Sequence, residues 1–182
     1  MQRSIVLNLS DDAFDALDSL TSLILINLWT DTFSWNLTLN PGKLTNLEYL
    51  YLGNVQGSGS IPTSITQLNN LTALSKTANK DITGTIPSNL FSSLPKLQHL
   101  DLRGTSISGS IPDIPPGHPL TNLVISHNSG QMNGTIPEGI YGNGLSILII
   151  EGEPLLVTEL DLSRVVAPTF SRLRTLHLDS FP

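Results

Sequence analysis

His99, Asp101 and Arg103 alternate along five residues, and Tyr49 and Tyr51 alternate in the same way further upstream. A period of two places alternate side chains on one side of an extended strand, so each set would present a single face. The chemistry open to such faces is recognition, because Trp, Tyr and Arg are the usual anchors of binding hot spots. Catalysis has little support. The chain contains no Gly-x-Ser-x-Gly elbow, no Walker-type loop and no His-Glu-x-x-His. Its four histidines, His99, His118, His127 and His177, lack metal-ligand spacing. There is no cysteine, which excludes disulfides and thiolate metal sites. A Ser/His/Asp set can be picked from so hydroxyl-rich a chain, but on a smooth sheet it would face solvent, with no cleft to shift a pKa. No enzyme activity, metal or cofactor is expected.

The elements that hold these residues are set by a repeat. The segment "GSIP" at 59–62 returns as "GTIP" at 84–87, "GSIP" at 109–112 and "GTIP" at 134–137, so Ile61, Ile86, Ile111 and Ile136 are 25 residues apart. Leucines keep the same phase. One coil carries Leu44, Leu47, Leu50 and Leu52, the next Leu68, Leu71 and Leu74, and the following ones Leu94, Leu97, Leu100 and Leu102, then Leu120, Leu123 and Ile125. The L-x-L pairs predict short strands with their leucines turned inward. Strands repeating about every 24 residues stack in parallel, about 4.8 Å apart. Asn79 and Asn128 stand where a turning chain leaves backbone groups to be bonded. Glycine allows a crowded position, and proline starts the return where no ladder N–H is needed.

The pattern L-x-x-L-x-x-L-x-L-x-x-N-x-L-x-G-x-I-P resembles the plant-type leucine-rich repeat. The resemblance implies an α/β solenoid: a right-handed superhelix with a parallel concave sheet and an irregular, short-helical convex side. Residues 1–182 read as one such array, regular over about 20–150, with irregular ends at 1–19 and 151–182. The family's cysteine-bearing caps are missing, so the chain is expected to be part of a longer array. A first coil is expected at Leu20, Leu23, Ile26 and Leu28, with Ile26 matching Leu50. Before it, Leu7 and Leu9 predict a strand, and "DDAFDAL" an Asp-capped helical turn. Three departures stand out. Asp31, Val55 and Thr105 replace the bend asparagine. Lys76 replaces a strand leucine, which predicts a bulge or shifted register over 75–81. After Ile150 the phase is lost, and Leu148/Ile150 and Leu176/Leu178 are the expected strands, with a convex-side excursion over 155–168.

In this frame the concave face carries Leu25, Asn27 and Trp29, then Tyr49, Tyr51 and Gly53, and two coils on His99, Asp101 and Arg103. Trp29, Tyr49 and Tyr51 would form an aromatic patch, with bare Gly53 leaving room for the Trp29 indole. The charged row could bind a ligand or simply close its own ion pair. A net charge of −6 and no Lys/Arg cluster argue against nucleic acid and anionic membranes. No apolar run approaches the roughly 20 residues of a membrane helix. Four sequons, at Asn8, Asn36, Asn70 and Asn133, permit N-glycosylation. The resemblance implies a binding module for a protein, peptide or glycan ligand, in the extracellular recognition region of a receptor-like or secreted protein, membrane-anchored through further sequence. The alternatives are a structural cell-surface or wall array without a specific ligand, and an intracellular regulatory array. The latter fits the opening "MQRSIVLNLS", which has no signal-peptide pattern.

Overall fold

A computed structural model describes residues 17, 19–26, 44–54, 59–126, 128, 132–142, 144–152 and 172–179. Its main feature is a seven-stranded, all-parallel sheet. The strands are β1 (Ser22–Ile26), β2 (Tyr49–Gly53), β4 (Ala73–Thr77), β6 (His99–Asp101), β7 (Asn122–Ser126), β8 (Ile147–Glu151) and β9 (Thr175–Asp179), in that order across the sheet. Each strand therefore lies beside the strand of the next coil, which makes the chain a solenoid.

The register follows the leucines. Leu23, Leu50, Leu74, Leu100, Leu123, Leu148 and Leu176 pair in succession from one edge to the other. All strand leucines from Leu50 to Ile150 are buried, most of them completely. Each L-x-x-L before a strand closes a turn of its own: Leu47 N–H donates to the Leu44 carbonyl, Leu71 to Leu68 and Leu97 to Leu94. The entry to each strand is then fixed by the preceding coil. The Glu48 carbonyl accepts both Thr72 and Ala73 N–H, the Thr72 carbonyl both Gln98 and His99, and the Gln98 carbonyl both Thr121 and Asn122. One oxygen per coil thus sets the register of the next.

The flank of the solenoid explains the repeated Gly-x-Ile-Pro. Strands β3 (Gly59–Ser60) and β5 (Ile82–Thr83) pair here, and isolated bridges continue the ladder at Thr85–Ser108 and Gly109–Met132. Gly84, Gly109 and Gly134 have φ near +80°, a region costly for other residues. There is also no space for a side chain. A Cβ at Gly84 would lie 2.8 Å from Ser60 Cβ, and one at Gly134 2.9 Å from Ser110 Cβ. The hydroxyl residue of one coil packs onto the glycine of the next, while Ile61, Ile86, Ile111 and Ile136 turn into the core. A 3-10 turn at Thr63–Gln67 and four-residue helices at Leu90–Ser93 and Gly139–Gly142 lie on the return side.

Three expectations change. The first coil is framed differently: Leu23, not Ile26, pairs with Leu50, and Ile26 pairs with Gly53. Leu17, Leu20, Leu23 and Leu25 therefore take the roles of Leu44, Leu47, Leu50 and Leu52, and the Leu20 N–H to Leu17 carbonyl bond closes the matching turn. The run "LILINLW" is apolar at nearly every position, so two frames satisfied the pattern, and the wrong one preserved the 24-residue spacing.

Lys76 causes no shift. It pairs with Leu52 in unbroken register, and Ala78 N–H reaches the Arg103 carbonyl at 3.0 Å, continuing the ladder with the next coil. The lysine simply occupies the leucine's place in the core, 2% exposed. The bend is also less disrupted than the missing asparagines imply. Buried Thr105 substitutes: its N–H and hydroxyl both face Asn128 Oδ1, at 3.1 and 2.8 Å. Asn79 Nδ2 donates to the Leu52 and Thr77 carbonyls. Strands β8 and β9 fall where Leu148/Ile150 and Leu176/Leu178 placed them. The strand at Leu7/Leu9, nearly all of the Asp-capped turn, Asp31, Val55 and the 155–168 excursion lie outside the described residues.

Candidate functional site

Because the leucines point inward, residues 22, 24 and 26 of β1 and their partners line the concave face. Ser22, Tyr49, Ala73, His99, Asn122, Ile147 and Thr175 form one row across the sheet, and Ile24, Tyr51, Ser75, Asp101, Val124, Ile149 and His177 the next. At the β1 end this face is apolar. Ile24 is 59% exposed, Ile26 49% and Tyr49 48%. With Ser22, Leu50, Tyr51, Ala73 and Ser75 they line a shallow cavity of about 330 Å³. Small side chains on β4 make the depression, since Ala73 and Ser75 stand between the larger groups of β2 and β6. A second cavity of about 270 Å³ lies on the other side and runs from Tyr51 past the His99/Asp101/Arg103 group to Val124 and Ile149. Ser75 Oγ is enclosed on this shared floor and has no hydrogen-bond partner among the described residues.

Tyr49 and Tyr51 thus lie on the expected face, but their companion differs. Trp29 lies outside the described residues, and the register that was to set it beside Gly53 is occupied by Ile26. The space over Gly53 is also taken: a Cβ there would come within 2.8 Å of Tyr51 Cε1. Tyr51 folds along its own strand, and its hydroxyl stands 3.4 Å from Thr77 Oγ1. Ile24 and Ile26 are the exposed concave-face residues the sequence reading missed. The signal was Leu17-x-x-Leu20-x-x-Leu23-x-Leu25, which matches the repeat and turns both isoleucines outward.

His99, Asp101 and Arg103 come together as expected, two strands from the tyrosines. Arg103 closes a bidentate pair with its neighbour: Nε lies 3.0 Å from both Asp101 oxygens and Nη2 2.7 Å from Oδ2. Asp101 Oδ1 also accepts the Arg103 backbone N–H at 3.2 Å. The hydrogen bond to Asp101 raises the Arg103 pKa, against a smaller opposing effect of burial. An anionic ligand at Arg103 must therefore compete with Asp101, whereas a ligand carrying both charges could bridge the pair. A further couple, unforeseen from the sequence, closes the far end, with His177 Nδ1 2.7 Å from Glu151 Oε1.

His118 is structural. Its Nδ1 accepts the Leu120 N–H at 3.3 Å, which leaves Nε2–H to donate to the Leu94 carbonyl at 3.1 Å. Burial lowers its pKa, and its ring meets Phe91 edge-on at 5.5 Å. His127, Asn8 and Asn36 lie outside the described residues, whereas Asn70 and Asn133 are on the surface away from the concave sheet. Among the described residues no group of three His, Asp or Glu side chains could hold a metal, and no helix is long and apolar enough to cross a membrane.

Comparison with known proteins gives a consistent picture. The Leucine Rich Repeat family model matches residues 96–117. The ectodomain of the Arabidopsis receptor kinase HAESA, solved with an N-terminally extended IDA peptide hormone, is 26% identical over 93% of this chain and 27% of its own, with a TM-score of 0.65. The ectodomain of the Arabidopsis receptor kinase SOBIR1 is 28% identical over 70% of this chain and 67% of its own, with a TM-score of 0.57. A plant ice-binding protein is 27% identical over 92% of this chain and 51% of its own, with a TM-score of 0.69. This chain thus spans about a quarter of the first, two-thirds of the second and half of the third. No curated protein matches the sequence.

Proposed function

Since the chain is a leucine-rich-repeat protein of the plant type, we propose that it is the recognition module of an extracellular, receptor-like protein, and that an extended peptide lies across its concave face. One observation carries this reading. Among the described residues four large apolar side chains are more than 40% exposed, and three of them, Ile24, Ile26 and Tyr49, stand together on that face. Grouped exposed apolar side chains mark interaction sites rather than random surface. The patch would seat apolar ligand side chains, the Ala73/Ser75 floor would let the ligand backbone approach, and the Asp101–Arg103 pair would meet a charged or polar segment. HAESA was solved with a peptide hormone, and the plant peptide hormone receptor RGFR1, 30% identical over 77% of this chain, was solved with RGF2. The module has no catalytic role in this reading, and signalling and membrane anchoring belong to sequence beyond it.

The test is panning of a random peptide library on the immobilised chain. Selected peptides should lose at least about tenfold in affinity, about 1–2 kcal/mol, on Tyr51→Ala or Ile24→Ser. Thr66→Ala, on the return side, should change nothing. Equal losses from all three variants would remove the concave face as the site.

A second reading rests on the Gly-x-Ile-Pro flank. There Ser60, Thr85, Ser110 and Thr135 are all exposed and repeat at the coil spacing, a regular hydroxyl row on a fold shared with a plant ice-binding protein. Inhibition of ice recrystallisation, abolished by bulky replacements in that row, would select it.

A further inference from the structure

The two sequons within the described residues are not equivalent. Asn70, of Asn70-Leu71-Thr72, is tied to coils on both sides. Its Nδ2 donates to the Thr45 carbonyl at 3.1 Å, and its Oδ1 accepts from Lys96 Nζ at 2.8 Å. The Thr72 hydroxyl of the same sequon donates to the Glu48 carbonyl at 2.9 Å. A sugar on Asn70 Nδ2 would take one of the two hydrogens of that nitrogen and would have to pass between Thr45 and Lys96, which hold the carboxamide between coils.

Asn133, of Asn133-Gly134-Thr135, has the opposite environment. All three residues are exposed, and the Asn133 carboxamide makes no hydrogen bond among the described residues. Its backbone is nevertheless fixed: Asn133 N–H donates to the Gly109 carbonyl at 2.8 Å, and Gly134 turns the chain at φ +84°. The side chain therefore projects from an ordered frame.

We propose that Asn133 carries an N-linked glycan and that Asn70 stays bare. The inference rests on the extracellular part of the reading above. In the reaction, Asn133 Nδ2 forms a bond to the anomeric carbon of a lipid-linked oligosaccharide pyrophosphate. The anomeric C–O bond to the pyrophosphate breaks, the lipid pyrophosphate departs, and the nitrogen gives up one proton. The glycan then covers the Gly-x-Ile-Pro flank and leaves the concave sheet free, so a peptide on the concave face and a glycan on the flank can coexist.

The experiment sends the 182-residue chain through the secretory pathway of plant cells behind a cleavable leader and maps occupancy by glycopeptide mass spectrometry, in secreted and microsomal fractions alike. Occupancy at Asn133 should exceed that at Asn70 at least fivefold and vanish in Thr135→Ala. Asn133→Gln should leave the thermal midpoint unchanged, whereas Asn70→Gln should lower it by removing the bridge between coils. A bare Asn133, or equal occupancy at Asn70, overturns the proposal. Capture of the panned peptides is scored on the same material. An empty Asn133 with capture intact sinks this inference alone, and an occupied Asn133 without capture sinks the ligand reading alone.

Discussion

Replacing Lys76 by methionine should stabilise the protein and remove a pH dependence that the wild type carries. Lys76 occupies a strand-leucine position, paired with buried Leu52, and is itself only 2% exposed. Desolvation alone lowers its pKa from 10.5 to about 7. The sign follows from proton counting. Between pH 7 and 10.5 the unfolded chain binds the Lys76 proton and the folded chain does not, so stability rises with pH across that window. The penalty is fully present below pH 7 and gone above 10.5. A fall from 10.5 to about 7, at 1.36 kcal/mol per tenfold change in proton affinity, amounts to about 5 kcal/mol over the whole window, with about 3 kcal/mol falling between pH 6 and 9. Methionine keeps the length and apolar stem without the charge. Urea unfolding of both proteins at pH 6 and 9 measures the effect, the other titrating groups being common to both. The variant should be more stable at pH 6, by several kcal/mol, and the gap should narrow by about 3 kcal/mol at pH 9. Parallel responses of the two proteins would show that the ammonium group is hydrated, and the burial argument would fail.

Leu100→Ala, in the middle of the sheet and fully buried, should cost about 2–5 kcal/mol in urea unfolding through the cavity it leaves. Gly53→Ala should expel the Tyr51 ring from its place over β2, read as a change in tyrosine fluorescence and as altered peptide capture, because the new methyl group would meet Tyr51 Cε1 at 2.8 Å. Hydrogen exchange should be slow over 44–140 and faster in β1 and β9, where Leu23 and Leu25 are only part-buried and Leu176 is 41% exposed, because strands with less buried apolar area open more readily. Uniform protection would refute that gradient. His118→Gln should flatten the loss of stability below about pH 6.5, since the buried imidazole is held neutral and must charge in acid.

The sequence by itself determined the solenoid. The in-phase leucines and the four Gly-x-Ile-Pro segments are one-dimensional signals, because each coil contacts only its neighbours and the register between coils is set by local spacing. For the same reason the sequence placed Tyr49, Tyr51, His99, Asp101 and Arg103 on the correct face. It could not choose the frame of β1, where Leu23 through Ile26 are apolar in succession and period alone is silent. The choice came from tertiary fit: Leu23 and Leu25 stack on Leu50 and Leu52, and Leu17 and Leu20 close the turn that feeds them. That decision put Ile24 and Ile26 on the concave surface and changed the composition of the site. Nor could the sequence tell that Lys76 would keep register. A charged residue in a strand pattern argues for a bulge, but the ladder bonds on both sides of Lys76 hold the backbone in line. The side chain has no other place to go, and the core bears the cost of its desolvation.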